Sequence, residues 1–197
     1  MKEMNRREFL ALTGAAVVAL SLAGCDDGPY TPPAPPAPPA PTTSKETELL
    51  AAINKVWKEK FDEHKVTHEH LTLNQDAVGL ISGYGRVFET ANENPHNVTD
   101  SDWAIVVQER GECEAVMLNK YGVDCLAGMA GVSEQTSENV ATLECVYSCA
   151  DAAVRDFVGK LLSSDPNSVK AEFISFYFPV VQGKTYMTAI VFLNSKP

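Results

Sequence analysis

The clearest helical pattern in the chain begins after Ser44. Apolar residues recur there at spacings of three and four, at Leu49, Leu50, Ile53, Val56, Trp57 and Phe61. This spacing places them on one face of an α-helix of about 16 residues. Ser44 is a suitable N-cap, and Glu46 and Glu48 put acidic side chains in the first turn, where the helix dipole favours them. We therefore expect the folded part to open with a helix whose apolar face is core.

A second helix is predicted after the capping segment Asn74-Gln75-Asp76. Its apolar positions are Ala77, Leu80, Ile81, Tyr84, Val87 and Phe88. The helix should end before Pro95, because the residue that precedes a proline avoids helical backbone angles. Gly79, Gly83 and Gly85 weaken the helix but allow another element to pack closely against it.

The pattern beyond Asp100 is looser, and we interpret it as loops and short elements. A third helix is predicted over residues 148–162, again from apolar residues on one side. Residues 173–178 and 186–193 are rich in aromatic and β-branched side chains and are predicted strands, joined by a hairpin turn at Gln182-Gly183-Lys184. Helices first and an antiparallel hairpin last indicate an α+β fold or an α-β-α sandwich.

The first 24 residues resemble an export signal. Arg6 and Arg7 precede an apolar run over residues 9–22, which is shorter than the roughly 20 residues that a membrane-spanning helix needs. The arginine pair resembles the twin-arginine signal. The run closes at Leu22-Ala23-Gly24-Cys25, which resembles a bacterial lipobox, so Cys25 is the expected lipid attachment site. The alternative is an ordinary signal peptide that is followed by an unrelated cysteine.

A proline-rich segment separates this signal from the folded part. The repeat over residues 32–41 favours an extended polyproline II spacer with a reach of roughly 30 Å. The chain therefore divides into a signal peptide (1–24), a lipidated cysteine with its linker (25–45) and a folded domain (46–197). The expected location is the extracytoplasmic face of a bacterial membrane, in the cell envelope.

The balance of acidic and basic residues limits the kinds of molecule that the chain is expected to bind. Sixteen Lys and Arg stand against 26 Asp and Glu, for a formal net charge of -10. Nucleic-acid binding requires a basic face, so nucleic acid is excluded as a partner. Anionic lipid headgroups would also repel the chain, so we expect the membrane to be contacted through the N-terminal lipid and not by electrostatic adsorption.

Four cysteines follow the lipobox, at Cys113, Cys125, Cys145 and Cys149. An even number in an exported chain predicts two disulfides, and the sequence leaves all three pairings open. A zinc site formed by four thiolates is the alternative. No Cys-x-x-Cys motif is present, which argues against a redox enzyme.

Three of the four histidines lie close together, at His64, His68 and His70, beside Glu63 and Glu69. His64 and His68 would share one face if this segment were helical and would then be able to chelate zinc. A solvated, slightly pH-sensitive loop is the favoured interpretation, because the spacing matches no closed metal site.

Several motifs together resemble the CAP superfamily of cysteine-rich secretory, antigen 5 and pathogenesis-related proteins. They are Leu49-Leu50-Ala51-Ala52-Ile53-Asn54, Leu71-Thr72-Leu73-Asn74-Gln75-Asp76, His96-Asn97, Ser137-Glu138-Asn139-Val140-Ala141 and Ser163-Ser164-Asp165-Pro166-Asn167. In the fourth motif serine stands where the family has glycine. The resemblance covers residues 48–193 and implies a three-layer α-β-α sandwich of CAP type, the SCP domain, that ends in an antiparallel hairpin.

The resemblance also implies a cleft. The family places two histidines and two glutamates there, and His96 and Glu138 match one of each. Asn167 or Ser168 stands at the second histidine, and Gly159 and Lys160 stand near the second glutamate. Two protein ligands hold a divalent metal ion only weakly. We therefore expect no cofactor beyond weak divalent-metal binding by His96 and Glu138.

Two functions follow from these expectations. The favoured one is a non-enzymatic binding or interaction module of the envelope, with an unknown envelope ligand or protein as partner and no catalytic residue. The alternative is a metal-assisted envelope hydrolase that uses His96 and Glu138, with Glu134 as a further acid or base. The sequence holds no Gly-x-Ser-x-Gly elbow, phosphate-binding loop or His-Glu-x-x-His motif to support catalysis.

Overall fold

Helix α1 (Lys45–Asp62) confirms the first sequence prediction. The computed structural model describes residues 44–91, 100–135 and 140–196. Ser44 is the N-cap, and its hydroxyl oxygen accepts a hydrogen bond from the backbone N–H of Thr47 at 3.3 Å. The helix buries the predicted face, with Ile53 and Trp57 fully enclosed. The described residues all belong to one compact unit, which spans Pro41–Pro197.

The described part of the chain mixes helices and strands. Its other helices are α2 (Gly79–Ala91), α3 (Asp100–Tyr121) and α4 (Asp151–Ser164), with 3₁₀ turns at Gln75–Ala77 and Pro166–Lys170. Its strands are β1 (Thr72–Leu73), β2 (Leu126–Ala130), β3 (Val132–Gln135), β4 (Val140–Leu143), β5 (Phe173–Tyr177), β6 (Val180–Val181), β7 (Lys184–Thr185) and β8 (Thr188–Phe192). None of the helices described is both long enough and apolar enough to cross a membrane.

The main sheet is mixed and has the strand order β1-β5-β8-β2. β1 pairs with β5 in parallel, whereas β5 with β8 and β8 with β2 are antiparallel. The C-terminal hairpin is therefore confirmed. Its turn contains Gln182 at φ 51° and Gly183 at φ 74°, the left-handed conformation that tight hairpin turns require.

Helices cover both faces of this sheet. Alternate side chains of β8 point to opposite faces, because the side-chain period of a strand is two. Ala189 and Val191 join a cluster with residues of α1 and α4, whereas Ile190 and Phe192 join a second cluster with residues of α2 and α3. In the second cluster Tyr121 packs edge-on against Phe192, with 5.2 Å between ring centroids.

The interpretation of the stretch after Asp100 as loops and short elements is wrong in part. A helix of 22 residues, α3, occupies most of it, followed by the short strands β2, β3 and β4. The helix escaped detection because its apolar residues do not follow one face. Met117 is buried, but Val107 and Val116 are exposed, and Gly111 interrupts the middle.

Close packing at the glycines of α2 is confirmed. A Cβ atom at Gly79 would lie 2.8 Å from the Cβ of Cys113 on α3, and one at Gly85 would collide with the ring of Tyr177 on β5. The missing side chains therefore let α2 approach both α3 and the sheet.

Candidate functional site

A third apolar cluster joins the elements that flank His96 and Glu138. Its members are Tyr84, Phe88, Val106, Val132, Leu143 and Val181. His96 lies in the sequence between α2 and α3, and Glu138 lies between β3 and β4; both residues are outside the described ranges. The cluster draws on α2, α3, β3 and β4, so the described segments on each side of both residues meet in one region.

The paired strands β3 and β4 are fixed at their base by backbone geometry. Val132 is the register partner of Leu143, and the N–H of Glu144 donates to the carbonyl of Gly131 at 3.0 Å. Gly131 has φ 93°, which an L side chain rarely adopts. These contacts hold together the two strands that precede and follow Glu138 in the sequence, and Val132 and Leu143 join them to α2 and α3 through the third cluster.

Polar side chains join α2 to α3 and to the C-terminal strands around this cluster. The Arg110 guanidinium donates to the Tyr84 hydroxyl and lies 5.5 Å from the centroid of that ring. Arg86 pairs with Glu109. Glu89 accepts hydrogen bonds from the Tyr177 hydroxyl at 2.7 Å and from the N–H of Val180 at 2.8 Å. Burial, followed by the hydrogen bond to Glu89, raises the pKa of Tyr177 to about 12.

The family resemblance expects a second histidine and a second glutamate near Ser168 and Lys160. In the structure these two side chains contact other residues of the domain. Ser168 is fully buried, and its hydroxyl lies 2.6 Å from the carbonyl oxygen of Asp165 and 2.9 Å from that of Leu162. The Lys160 ammonium lies 3.1 Å from Asp156 and 3.6 Å from Glu144. The hydrogen bond to Asp156 is the main cause that raises the pKa of Lys160, so this side chain is a cation at neutral pH.

The histidine-rich segment lies beyond the end of α1. His64 has a left-handed backbone at φ 59°, and the carbonyl of His68 accepts a hydrogen bond from the Trp57 indole at 3.0 Å. Because the helix ends at Asp62, His64 and His68 do not share a helical face. His64, His68 and His70 are all exposed. Within the described ranges no three histidine, cysteine or carboxylate side chains are grouped as a metal site would need.

The four cysteines are free thiols in this structure and lie apart. Cys125 and Cys145 are buried, Cys113 is half-buried against α2 and Cys149 is exposed. No two lie within disulfide-bonding distance. Burial raises the pKa of the Cys113, Cys125 and Cys145 thiols, which favours their protonated form. Two disulfides in the exported chain stay a prediction.

A cavity of about 290 Å³ opens at the β2 edge of the main sheet. It is lined by Leu80, Arg110, Glu114, Leu126, Ala127, Gly128, Met129, Ser164, Asp165 and Ile190. Sequence analysis did not predict that these residues come together, because they belong to α2, α3, β2, β8 and the end of α4, which are far apart along the chain. One feature of this site is visible locally in the sequence: the acidic residue Asp165 follows the last turn of α4, and that turn contains no basic residue.

Comparison with known proteins identified no relative: no protein-family model, no curated protein and no solved structure matches this chain. The resemblance to the CAP superfamily therefore rests on the sequence motifs quoted above.

Proposed function

We propose that this chain is an exported bacterial lipoprotein whose folded domain is a non-enzymatic CAP-type binding module. Cys25 carries the lipid, the proline-rich linker spaces the domain from the membrane, and the domain binds a ligand or protein of the envelope. Two helices on each face of the sheet support the three-layer sandwich that the family resemblance implies.

The observation that carries the proposal is the meeting of α2, α3, β3 and β4 in the third cluster. In the sequence His96 lies between α2 and α3, and Glu138 lies between β3 and β4, so the meeting of these elements supports one cleft that contains both. By the family resemblance, Asn167 or Ser168 stands at the second histidine, and Gly159 and Lys160 stand near the second glutamate. Ser168 and Lys160 contact other residues of the domain. A cleft with one histidine and one glutamate suits recognition better than metal catalysis, because two protein ligands hold zinc weakly.

The test is a zinc titration of the full chain followed by thermal unfolding. We expect no zinc-dependent rise in Tm, because a ligand stabilises only the state that binds it. We propose that the His96 imidazole and the Glu138 carboxylate hydrogen-bond to each other. His96→Ala should then leave that carboxylate short of a partner and cost about 1–3 kcal/mol of stability. The control is His70→Ala, which removes an exposed imidazole whose nearest carboxylate contact, with Glu69, is 3.6 Å.

A contrary outcome is a zinc-dependent rise in Tm of the parent that disappears in His96→Ala and in Glu138→Gln but persists in His70→Ala. That pattern would make the two residues metal ligands and would favour the metal-assisted hydrolase.

A further inference from the structure

The floor of the cavity at the β2 edge is formed by apolar side chains that pack in the core of the domain. Leu80 of α2 and Ile190 of β8 are almost fully buried beneath it. Leu126 and Met129 of β2 form half-buried walls. These side chains come from three elements of one core, so the floor exists before any ligand arrives. Its volume, about 290 Å³, is near the lower end of the range for small-molecule sites.

The wall formed by the end of α4 is held by specific contacts. The N–H of Met129 donates to the Ser164 hydroxyl oxygen at 3.0 Å, and that hydroxyl donates to the carbonyl of Leu161 at 2.8 Å. A Cβ at Gly128 would lie 2.6 Å from the Ser164 oxygen, so glycine allows the helix end to reach the strand. The position of Asp165 beside the floor therefore follows from the contacts that its neighbour Ser164 makes with β2 and with α4.

The charge on the rim is predominantly negative. Glu114 and Asp165 line the cavity, and neither is among the ion pairs of the described residues. The C-terminal end of α4 adds the negative partial charge of its dipole, and no basic side chain lies in its last turn. Arg110 also lines the cavity, but its guanidinium is held on the ring and hydroxyl of Tyr84.

We propose that this cavity binds a small primary alkylammonium ion, with the ammonium group between Glu114 and Asp165 and the alkyl body on Leu80, Ile190, Leu126 and Met129. An apolar floor with a few convergent polar groups is the usual form of a small-molecule site. The negative rim selects a cation over a neutral or anionic molecule of the same shape. The proposal depends neither on the lipid anchor nor on His96 and Glu138.

The test compares three probes that share one pentyl group: pentylammonium, 1-pentanol and hexanoate. The full chain, with Cys25→Ser to keep it in solution, is labelled with ¹³C at its methionine methyl groups, and Met129→Leu assigns the Met129 resonance. We expect pentylammonium to shift that resonance at the lowest concentration, 1-pentanol to bind more weakly and hexanoate to bind least.

Variants then test the two carboxylates. We expect Glu114→Gln and Asp165→Asn each to weaken pentylammonium binding by about two- to fivefold, as is typical of a partly exposed charge pair, and the double variant to bind pentylammonium no better than 1-pentanol. Asparagine at 165 keeps the oxygen that accepts from the N–H of Asn167, so the turn there is preserved. Matched controls on the same helices, Glu112→Gln and Asp156→Asn, should bind pentylammonium as the parent does.

The proposal is overturned if 1-pentanol or hexanoate binds the parent as tightly as pentylammonium. It is also overturned if the double variant keeps the parent affinity, or if the Met129 resonance does not move at tens of millimolar amine.

Discussion

Asp76 shows how one carboxylate joins two elements at the residue scale. It lies in the first 3₁₀ turn and accepts hydrogen bonds from Lys120 and Tyr121 at the end of α3. The Asn74 side-chain amide also donates to the Tyr121 hydroxyl, at 2.8 Å. The hydrogen bond from Lys120, and then that from Tyr121, lowers the pKa of Asp76 below its ordinary value of 3.8. The same contact raises the pKa of Lys120.

Replacement of this carboxylate should make the stability of the domain less dependent on pH in acid. A depressed carboxyl pKa stabilises the fold above the unfolded-state value and loses that effect as pH falls through the folded-state value. We expect Asp76→Asn to cost about 1 kcal/mol at pH 7, a modest figure because the side chain is partly exposed. The difference from the parent should vanish as pH falls well below 3.8.

Urea unfolding of both proteins at neutral and acidic pH measures this difference. Asp62→Asn is the control, because Asp62 makes an exposed i,i+4 contact with Lys58 at 3.3 Å and should change stability little. An Asp76→Asn deficit that is equally large in acid would show that the charge of Asp76 is not what matters.

At the scale of elements, the sequence predicted those parts that carry a local signal. α1, α2 and α4 each bury one face, and apolar spacings of three and four show it directly. The strands of the C-terminal hairpin are buried on both faces, and their runs of aromatic and β-branched residues indicated them. α3 carries no such signal, since it is held by scattered contacts such as Tyr121 on Phe192 and Cys113 on Gly79. Such contacts are specified by tertiary packing, which no local window of the sequence contains.

The glycines of two helices provide a matched test of this packing. We expect Gly85→Ala to destabilise the domain by about 1–3 kcal/mol, because its Cβ would collide with the Tyr177 ring. Gly159→Ala in α4 should instead stabilise it by about 0.5–1 kcal/mol, since a Cβ there meets nothing within 4 Å and alanine favours the helix. Chemical denaturation measures both, and a Gly85→Ala protein as stable as the parent would contradict the close approach of α2 to β5.

At the scale of the whole molecule, the candidate sites differ in how far the sequence reveals them. His96 and Glu138 came from a family resemblance that is carried by short motifs. No single motif joins the cavity residues, such as Leu80, Glu114 and Asp165, and only the folded sheet and helices bring them together. When the residues of a site come from elements that are far apart along the chain, the sequence contains no characteristic spacing that would reveal the site.

The membrane attachment is also a property of the whole chain. Lipid on Cys25 is the expected anchor, because a net charge of -10 gives the chain no electrostatic affinity for anionic lipid. We therefore expect Cys25→Ser to move the protein from the membrane fraction to the soluble fraction of the envelope. Cys149→Ser is the matched control and should leave the protein in the membrane fraction. Retention of Cys25→Ser on membranes washed with high salt would contradict the anchor.

The function that we propose requires a CAP-type domain in which His96 and Glu138 face one cleft. A crystal structure of the protein that shows the side chains of His96 and Glu138 tests this arrangement. We expect the His96 imidazole and the Glu138 carboxylate to lie in one cleft, with a nitrogen-to-oxygen distance of about 3 Å. Side chains that point away from each other, or that lie on separate faces of the domain, would contradict it.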